Sequence, residues 1–466
     1  MGFSCRGNCK QNVICLMIII VIFMFLFRLN SLLISKVRFK TYIDKPYIVD
    51  GKFNVKLKKE HYKNKDSAVT PRNRSESIVK NTHIIAKTNG RKEISKYILA
   101  MIKAIQQSDK TAEKKVNVLE HIGCPPVPRK VNGVEDLLCM PPPVFLPEFK
   151  NPCWYSNERR LQCLPYFQII GMDKSGSTDL FDKIAKHPDV LKNDGILQKE
   201  TMWWSWLRYG HWLKTRREVQ PFQRYLQYFA SAAYTIQSHP ESRLITADGT
   251  PMDFWDMSGW VDIPQNNGLA EPAVITAHLI KHMNPRVKLI IILRDPVERL
   301  FSDYFFLKQG VMTLEGFHSE VVKSIEKLHS CTKGSSSLRG CLYNRNLHLG
   351  LNARIHLGFY SVFMKDWLKV FPREQFYITT TEMYSQSPSQ ILQEAFDFLD
   401  LRKLTRKEVD QFSRAERQHV TKNKDNLGQM LQQTRDILER LYGTFTKELA
   451  SILEDDKYLW KKTVQT

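Results

Sequence analysis

The sequence predicts an α/β fold, a P-loop-like doubly wound parallel sheet flanked by helices, on three observations. Short apolar runs alternate with amphipathic helical segments through most of the chain after residue 164. One run, residues 166–170, leads through a glycine-containing loop into a helical segment at residues 178–185. Another run, residues 287–293, is apolar except at Lys288, as expected of a strand buried on both faces. Such alternation favours parallel strands joined by crossover helices.

Further strands are predicted at residues 243–247 and 375–379, where short apolar runs end in turn or polar residues. Helices are predicted at residues 272–283, 297–308, 355–370 and 388–399, and residues 430–459 are predicted to be mostly helical. A short helix is also predicted near residues 94–105. No internal repeat is visible in the sequence.

The charge of the chain is unevenly distributed. The 466 residues carry a formal net charge of +21, which indicates an anionic partner such as a nucleic acid, an acidic membrane or a polyanionic glycan. Residues 36–120 hold 21 lysines and arginines against 9 acidic residues. We interpret residues 35–120 as a basic low-complexity stem, which is either a solvated spacer or a segment attracted to glycans and membranes. Residues 121–466 form the predicted folded domain, with its core from about residue 164.

The N-terminal segment has the apolar character of a membrane anchor. Residues 13–27 are uninterrupted apolar residues, and residues 13–34 are long enough to cross a bilayer if Arg28 reaches the interface. We predict an uncleaved signal-anchor here and a cytoplasmic tail at residues 1–12. A cleaved signal peptide is the alternative, although no small-residue cleavage motif follows. Flanking charge would place the following chain in the cytoplasm, whereas the cysteines and a sequon at Asn73 favour the lumen.

Six cysteines follow the anchor segment, and an even number in an oxidising compartment is consistent with three disulfides. Their fifteen alternative pairings remain open, although close spacing favours Cys331–Cys341 most. The sequence contains no C-x-x-C motif or His/Cys cluster that would predict a metal site. The cysteines are Cys124, Cys139, Cys153, Cys163, Cys331 and Cys341.

The first candidate site is the loop Gly171-x4-Gly176-Ser177-Thr178, between a predicted strand and a predicted helix. Converging backbone N–H groups and the positive end of the helix dipole favour a phosphate here. A Walker A loop has lysine directly after its second glycine, whereas Lys174 precedes Gly176 by two positions. That displacement argues against an ATPase or GTPase. An ordinary strand–helix turn without a ligand is the alternative.

The second candidate site follows the other buried strand. Arg294 stands at the end of this strand, and Ser302 lies eight residues further on, in the predicted helix. Ligands of open α/β sheets bind at the carboxyl ends of strands. A nucleotide with phosphates at both ends of its ribose needs two such clusters.

These motifs resemble those of Golgi sulfotransferases that use 3′-phosphoadenosine 5′-phosphosulfate (PAPS), in particular the N-acetylgalactosamine 4-sulfate 6-O-sulfotransferase family. The resemblance runs from about residue 140 to the C-terminus and does not include the stem. Relatives often have Pro-Lys-Cys/Thr-Gly-Thr where this chain has Asp173 to Ser177, but serine retains the hydroxyl. The matching motifs are Asn151-Pro152-Cys153, Cys163-Leu164-Pro165-Tyr166-Phe167, Thr178-Asp179-Leu180-Phe181, Lys199-Glu200 with the following tryptophans, and Leu293-Arg294-Asp295-Pro296 with Arg299-Leu300.

The resemblance implies a role for each matching residue. Lys174 and Glu200 would be catalytic, with Glu200 as the base that takes a proton from the acceptor hydroxyl. Arg294 and Ser302 would bind the 3′-phosphate, and no divalent metal would be needed. The Cys331–Cys341 pair resembles a disulfide hairpin of the family. The 5′-phosphosulfate would contact Lys174, Ser175, Gly176, Ser177 and Thr178, and Lys422 and Lys424 would lie in a basic loop that closes over the nucleotide.

The resemblance also implies a partner and a location. The expected acceptor is a glycosaminoglycan, most specifically the 6-hydroxyl of N-acetylgalactosamine 4-sulfate in chondroitin or dermatan sulfate, with heparan sulfate as the alternative. The expected location is the Golgi membrane, as a single-pass type II protein with a luminal catalytic domain. No nucleic acid partner is expected. The oligomeric state is left open, with a homodimer among the alternatives.

Several competing interpretations remain at this level. A P-loop kinase or NTPase would need a magnesium ligand, for which Asp295 is the candidate, and a non-catalytic heparin-binding protein would explain the charge alone. Glu200 could simply pair with Lys199, and His211 or His278 could be the base instead. The tryptophans Trp203, Trp204 and Trp206 could be sugar platforms or core residues.

Overall fold

The computed structural model of the chain describes residues 94–100, 123–124, 134–209, 219–334, 337–416 and 428–460. The predicted anchor at residues 13–34, nearly all of the stem with Asn73, and the residues His211, Lys422 and Lys424 lie outside these ranges. Within the described ranges, no helix is both long enough and apolar enough to span a bilayer.

A parallel sheet of five strands forms the centre of the described fold, as the alternation of strands and helices predicts. Its strand order is β4-β5-β3-β6-β7, and every pairing within it is parallel. A separate antiparallel hairpin, β1 with β2, precedes it. The strands are β1 (Cys153–Tyr155), β2 (Leu161–Cys163), β3 (Phe167–Gly171), β4 (Val190–Leu191), β5 (Ile245–Asp248), β6 (Lys288–Leu293) and β7 (Phe376–Thr380).

Helices cover both faces of this sheet. The helices are α1 (Ser177–Ile184), α2 (Phe222–Gln227), α3 (Ala230–Ser238), α4 (Thr276–Met283), α5 (Pro296–Leu307), α6 (Leu314–Lys333), α7 (Leu338–Leu342), α8 (Arg345–Gly350), α9 (Tyr360–Val370), α10 (Thr381–Gln386), α11 (Pro388–Phe398), α12 (Arg406–Ser413) and α13 (Gln432–Leu453). Residues 94–100 are also helical. The helix predicted at residues 355–370 is instead a 3₁₀ turn, Ile355–Gly358, followed by α9.

The central strands are buried because successive side chains point into two apolar layers. Along β6, Ile290 and Ile292 pack with residues of α1 and α11, whereas Ile291 and Leu293 pack with residues of α4, α5, α9 and α13. All five residues of β3 are buried. A strand covered on both faces needs a continuous apolar sequence, which is the pattern from which β3 and β6 are predicted.

The position of β3 within the sheet determines where a ligand could bind. The chain builds β4 and β5 on one side of β3 and then β6 and β7 on the other. The order of the strands therefore changes direction at β3, and ligands of doubly wound sheets bind at such a point, beyond the carboxyl ends of the strands. Both candidate clusters follow strands that meet there, β3 and β6.

Within the described ranges, three disulfides each join a cysteine to the next cysteine along the chain. Cys331, near the end of α6, is bonded to Cys341 in α7, the pair that close spacing favours. The other two bonds join Cys124 to Cys139 and Cys153 to Cys163, the latter across the β1–β2 hairpin. These pairings select one of the alternatives that the sequence leaves open.

Candidate active site

The loop between β3 and α1 has the geometry expected of an anion-binding loop. Gly176, the N-cap of α1, has a φ of +92°, a left-handed conformation that glycine adopts without strain. It offers no side-chain cap, so the first N–H groups of α1 are not satisfied by the capping residue. The Ser175 Oγ is buried and has no hydrogen-bond partner among the described residues. An anion at this helix end could use both groups.

Residues that follow β6 and β7 hold this loop in place. The Arg294 Nη1 donates a hydrogen bond to the Lys174 carbonyl over 3.2 Å. The Thr381 Oγ1, at the start of α10, lies 2.7 Å from the Ser175 carbonyl oxygen and 3.0 Å from that of Leu293. The structure therefore brings the two sequence-predicted clusters, around Lys174 and Arg294, into direct contact.

A buried set of charges holds the loop through Arg354, a residue that stands in none of the sequence motifs. The Arg354 Nη2 donates to Asp173 in the loop over 3.1 Å, and its Nε donates to Asp303 in α5 over 2.8 Å. The guanidinium of Arg299 lies 3.5 Å from the same Asp303 carboxylate. Burial would raise the pKa of Asp303, but Arg354 and Arg299 hold it below its usual range. Arg354 thereby connects the loop to the helix that carries Ser302.

Lys174 presents its ammonium group at the rim of this loop. Its Nζ lies 3.3 Å from the centre of the Phe306 ring, near the end of α5. Burial lowers the pKa of Lys174 to about 8, with Asp303 and Asp173 opposing this effect and Arg294 adding to it. A pKa of about 8 leaves most of the lysine protonated at neutral pH.

Glu200 is held beside the carboxyl end of β5. Its Oε1 lies 2.6 Å from the Nζ of Lys199, whose side chain is fully buried, and 13% of the Glu200 side chain is exposed. The Lys199 carbonyl accepts a hydrogen bond from the Gly249 N–H over 2.8 Å. On the other side, the Thr201 Oγ1 donates to Asp248 over 2.6 Å. The pairing with Lys199 that the sequence left as an alternative is thus present, and it involves only one of the two Glu200 oxygens.

Glu200 and the loop are electrostatically linked. Burial raises the pKa of Asp173, Arg354 opposes this effect, and the negative charge of Glu200 adds a smaller upward contribution. The structure therefore gathers Lys174, Arg294 and Glu200 around the carboxyl ends of β3, β5 and β6. Ser302 lies partly buried on α5, in the same helix as Phe306.

The alternative candidates have other roles in the described structure. The Asp295 carboxylate accepts a hydrogen bond from the Val297 N–H over 2.8 Å and so caps α5. The His278 Nδ1 accepts from the Ile275 N–H over 3.1 Å, and burial lowers the pKa of this imidazole to about 4. These contacts argue against Asp295 as a magnesium ligand and give His278 a structural role.

The tryptophans after Glu200 belong to the core more than to a surface. Trp203 and Trp204 are 0% and 1% exposed, and each packs against the ring of Tyr225. Trp206 is partly buried, and its Nε1 donates to Asp256 over 2.8 Å. A sugar platform requires an accessible ring face, so Trp203 and Trp204 do not provide one.

The chain is similar to a known protein family, to individual proteins of known sequence and to a solved structure. The sulfotransferase domain family matches residues 165–447. Carbohydrate sulfotransferase 15 of Rattus norvegicus is 34% identical over 318 residues, which is 65% of this chain and 56% of the relative. The Homo sapiens protein of the same name is 33% identical with the same coverage. The chain therefore spans about half the length of the curated relatives it matches.

Among solved structures, a sulfotransferase from Alicyclobacillus acidocaldarius aligns with a TM-score of 0.41 and 19% identity. The alignment covers 63% of this chain and 97% of that chain.

Proposed function

The chain belongs to the sulfotransferase domain family, and from this premise we propose that it transfers a sulfuryl group from PAPS to a hydroxyl group of a glycan. The contact between the Arg294 side chain and the Lys174 carbonyl is the observation that carries the proposal. It joins two cationic clusters at neighbouring strand ends, as a nucleotide with phosphates at both ends of its ribose requires. A kinase or NTPase is less well supported, because Lys174 is displaced from the Walker A position and Asp295 caps a helix.

The residues at the loop fit the anionic groups of PAPS. The Ser175 Oγ, which is buried and has no hydrogen-bond partner in the described part of the chain, and the first N–H groups of α1, which Gly176 does not cap, offer donors for the 5′-phosphosulfate. Arg294, just before α5, and Ser302, within α5, are the proposed ligands of the 3′-phosphate. Lys422 and Lys424, outside the described residues, are proposed to complete the nucleotide site.

The proposed chemistry needs one positive group and one base. When bound, PAPS would supply an activated sulfuryl group, and the 5′-phosphate oxygen from which the sulfur departs would gain negative charge as the bond to the acceptor oxygen forms. Lys174 and the loop N–H groups provide donors on this side of the site, already fixed in place before reaction. Glu200 accepts the proton of the acceptor hydroxyl as it attacks, because a free sugar hydroxyl is too weakly acidic to ionise beforehand. Lys199 holds the Oε1 of Glu200 and thereby limits the orientation of this carboxylate.

We further propose the 6-hydroxyl of N-acetylgalactosamine 4-sulfate, in chondroitin or dermatan sulfate, as the acceptor. The motif resemblance supports this choice, and a net charge of +21 suits a polyanionic chain. Heparan sulfate is the second candidate. The proposed location is the Golgi membrane, with residues 13–34 as the signal-anchor, residues 35–120 as the stem and residues 121–466 as the luminal catalytic domain.

Transfer of labelled sulfate from PAPS to a panel of chondroitin, dermatan and heparan chains, followed by disaccharide analysis, tests the proposal. We expect label on galactosamine-containing disaccharides and no loss of activity in EDTA. Label only on glucosamine would overturn the proposed acceptor while leaving the reaction intact. Transfer of phosphate from ATP in place of sulfate would overturn the reaction itself.

Replacing Arg294 with alanine is expected to weaken nucleotide binding more than turnover. A hydrogen bond to a charged group contributes about 1.5–3 kcal/mol, which corresponds to about 10-fold to 100-fold in Kd. Titration calorimetry with 3′-phosphoadenosine 5′-phosphate measures this without turnover. Arg224→Ala, at an exposed arginine of α2, is the matched control and should leave Kd unchanged. Equal Kd values for the Arg294 variant and the wild type would remove Arg294 from the nucleotide site.

A further inference from the structure

Phe306 is an exposed apolar residue whose ring contacts the ammonium group of Lys174. It lies in the last turn of α5, and 50% of it is exposed. The Nζ of Lys174 sits 3.3 Å from the centre of its ring. A cation over an aromatic face is attracted by the negative face of the ring quadrupole, and the attraction grows as the pair is shielded from water.

The ammonium group of Lys174 contacts this ring directly. Among the described residues, Lys174 forms no ion pair within 4.0 Å, although Asp173 in its own loop and Asp303 in α5 act on it from nearby. Both of these carboxylates are bound by Arg354. The other charged groups that face Lys174 are Arg294, which follows β6, and Arg354 itself, and both repel it. The Phe306 ring therefore attracts the ammonium from the side of α5.

The position of Phe306 on α5 connects it to the other half of the proposed nucleotide site. Phe306 follows Ser302 by four residues, and side chains four apart lie on the same face of a helix. The ring that contacts Lys174 and the serine proposed for the 3′-phosphate thus share one face of one helix. Any shift of α5 would displace both groups together.

We propose that Phe306 is a positioning residue of the sulfuryl transfer, whose ring face holds the Lys174 ammonium at the rim of the loop between β3 and α1. The inference rests on the proposed function for its effect on turnover, but the contact can be tested without activity. Burial already lowers the pKa of Lys174 to about 8. Loss of the ring would remove a group that favours the ammonium form, so this pKa would fall further.

Competitive acetylation of lysines in the full chain, followed by peptide mass spectrometry across a pH series, measures the pKa of Lys174 directly. In Phe306→Leu, we expect this pKa to fall by about 0.4 to 0.7 pH unit, since an exposed to partly buried cation–π contact is worth about 0.5–1 kcal/mol. Phe306→Tyr keeps the ring face and should retain the wild-type value. Val311→Ala, at a nearby exposed apolar residue in the sequence, is the matched control and should also leave the pKa unchanged.

Kinetics at saturating PAPS provide the second readout. Phe306→Leu should lower kcat by about twofold to fivefold and move the alkaline limb of the pH profile to lower pH, whereas Phe306→Tyr should restore both. If Phe306 had only a structural role, the alkaline limb of the pH profile would keep its wild-type position. Phe306→Met, which also lacks the ring, replaces the leucine variant if the latter does not fold.

The two hypotheses fail in different ways. An unchanged Lys174 pKa in a folded Phe306→Leu or Phe306→Met chain would overturn the inference about Phe306. A wild-type chain that transfers no sulfate to any acceptor would overturn the proposed function, whatever the acetylation experiment shows.

Discussion

Replacement of Lys174 with alanine is expected to slow sulfuryl transfer by about 10²–10³-fold, the typical effect of removing one fixed donor that stabilises developing charge. The ammonium of Lys174 lies at the rim of the loop between β3 and α1, and its carbonyl is bonded to Arg294. The backbone of the loop should survive the substitution, because its hydrogen bonds to Arg294 and Thr381 use carbonyl oxygens. Steady-state kcat and calorimetric Kd for 3′-phosphoadenosine 5′-phosphate separate the loss of rate from a loss of binding.

The same lysine predicts the direction of the pH dependence. Because burial lowers the pKa of Lys174 to about 8, the fraction of ammonium falls as the pH rises through 8, and wild-type kcat should fall with it. The Lys174→Ala variant should lack this decline. Lys186→Ala, at an exposed lysine beyond the far end of α1, is the matched control. A Lys174→Ala chain with a wild-type rate would show that this lysine has no part in the chemistry.

The elements predicted from periodicity agree with the structure where the pattern is local. The predicted strand at residues 287–293 corresponds to β6, with one residue of difference at its start, because a strand buried on both faces carries its signal in its own sequence. The helix predicted at residues 355–370 is confirmed from Tyr360 to Val370 as α9, and it differs at its start, where Ile355–Gly358 form a 3₁₀ turn for a non-local reason. The Tyr442 hydroxyl, on α13, donates to the Ile355 carbonyl over 2.8 Å, and the Tyr442 ring packs against Gly358. The sequence around residue 355 gives no indication of this contact with Tyr442, which lies 87 residues further along the chain.

Helix α6 and strand β4 were not predicted, and their sequences differ in how clearly they indicate secondary structure. Helix α6 has buried apolar residues at the helical period, namely Phe317, Val321, Ile325 and Leu328, so its pattern could have identified it. Strand β4 has only two residues, Val190–Leu191, and is defined by its pairing with β5. Such a short strand cannot be recognised without the neighbour that forms it.

The candidate site likewise contains residues that local motifs indicate and residues that only distant contacts identify. Lys174 and Arg294 stand in local motifs at strand ends, and the structure brings them together. Arg354 has no such motif, since its importance comes from reaching Asp173, 181 residues earlier in the sequence. The sequence indicates Phe306 only through its four-residue spacing from Ser302. The packing of α5 in the structure shows that its ring contacts Lys174.

Replacement of Glu200 with glutamine is expected to lower kcat by about 10²–10⁴-fold while leaving nucleotide affinity nearly unchanged. Glutamine retains the shape of the side chain and an oxygen that can accept from Lys199, but it cannot take the proton of the acceptor hydroxyl. The neighbouring backbone should keep its position, because Gly249 and Asp248 hold Lys199 and Thr201 independently of the Glu200 side chain. Single-turnover sulfate transfer and calorimetry with 3′-phosphoadenosine 5′-phosphate measure the two quantities separately.

The fully buried Lys199 side chain makes a second variant necessary. Glu200→Gln leaves the Lys199 ammonium without its counter-charge, and an unpaired buried charge can itself destabilise a protein by about 3–5 kcal/mol. The double variant Lys199→Met, Glu200→Gln removes both charges, and Glu241→Gln, at an exposed carboxylate, controls for loss of negative charge. If Glu200 is the base, the double variant stays as slow as the single one even where its thermal stability recovers. Recovery of the rate in the double variant would instead show that the unpaired lysine caused the defect and that the base lies elsewhere.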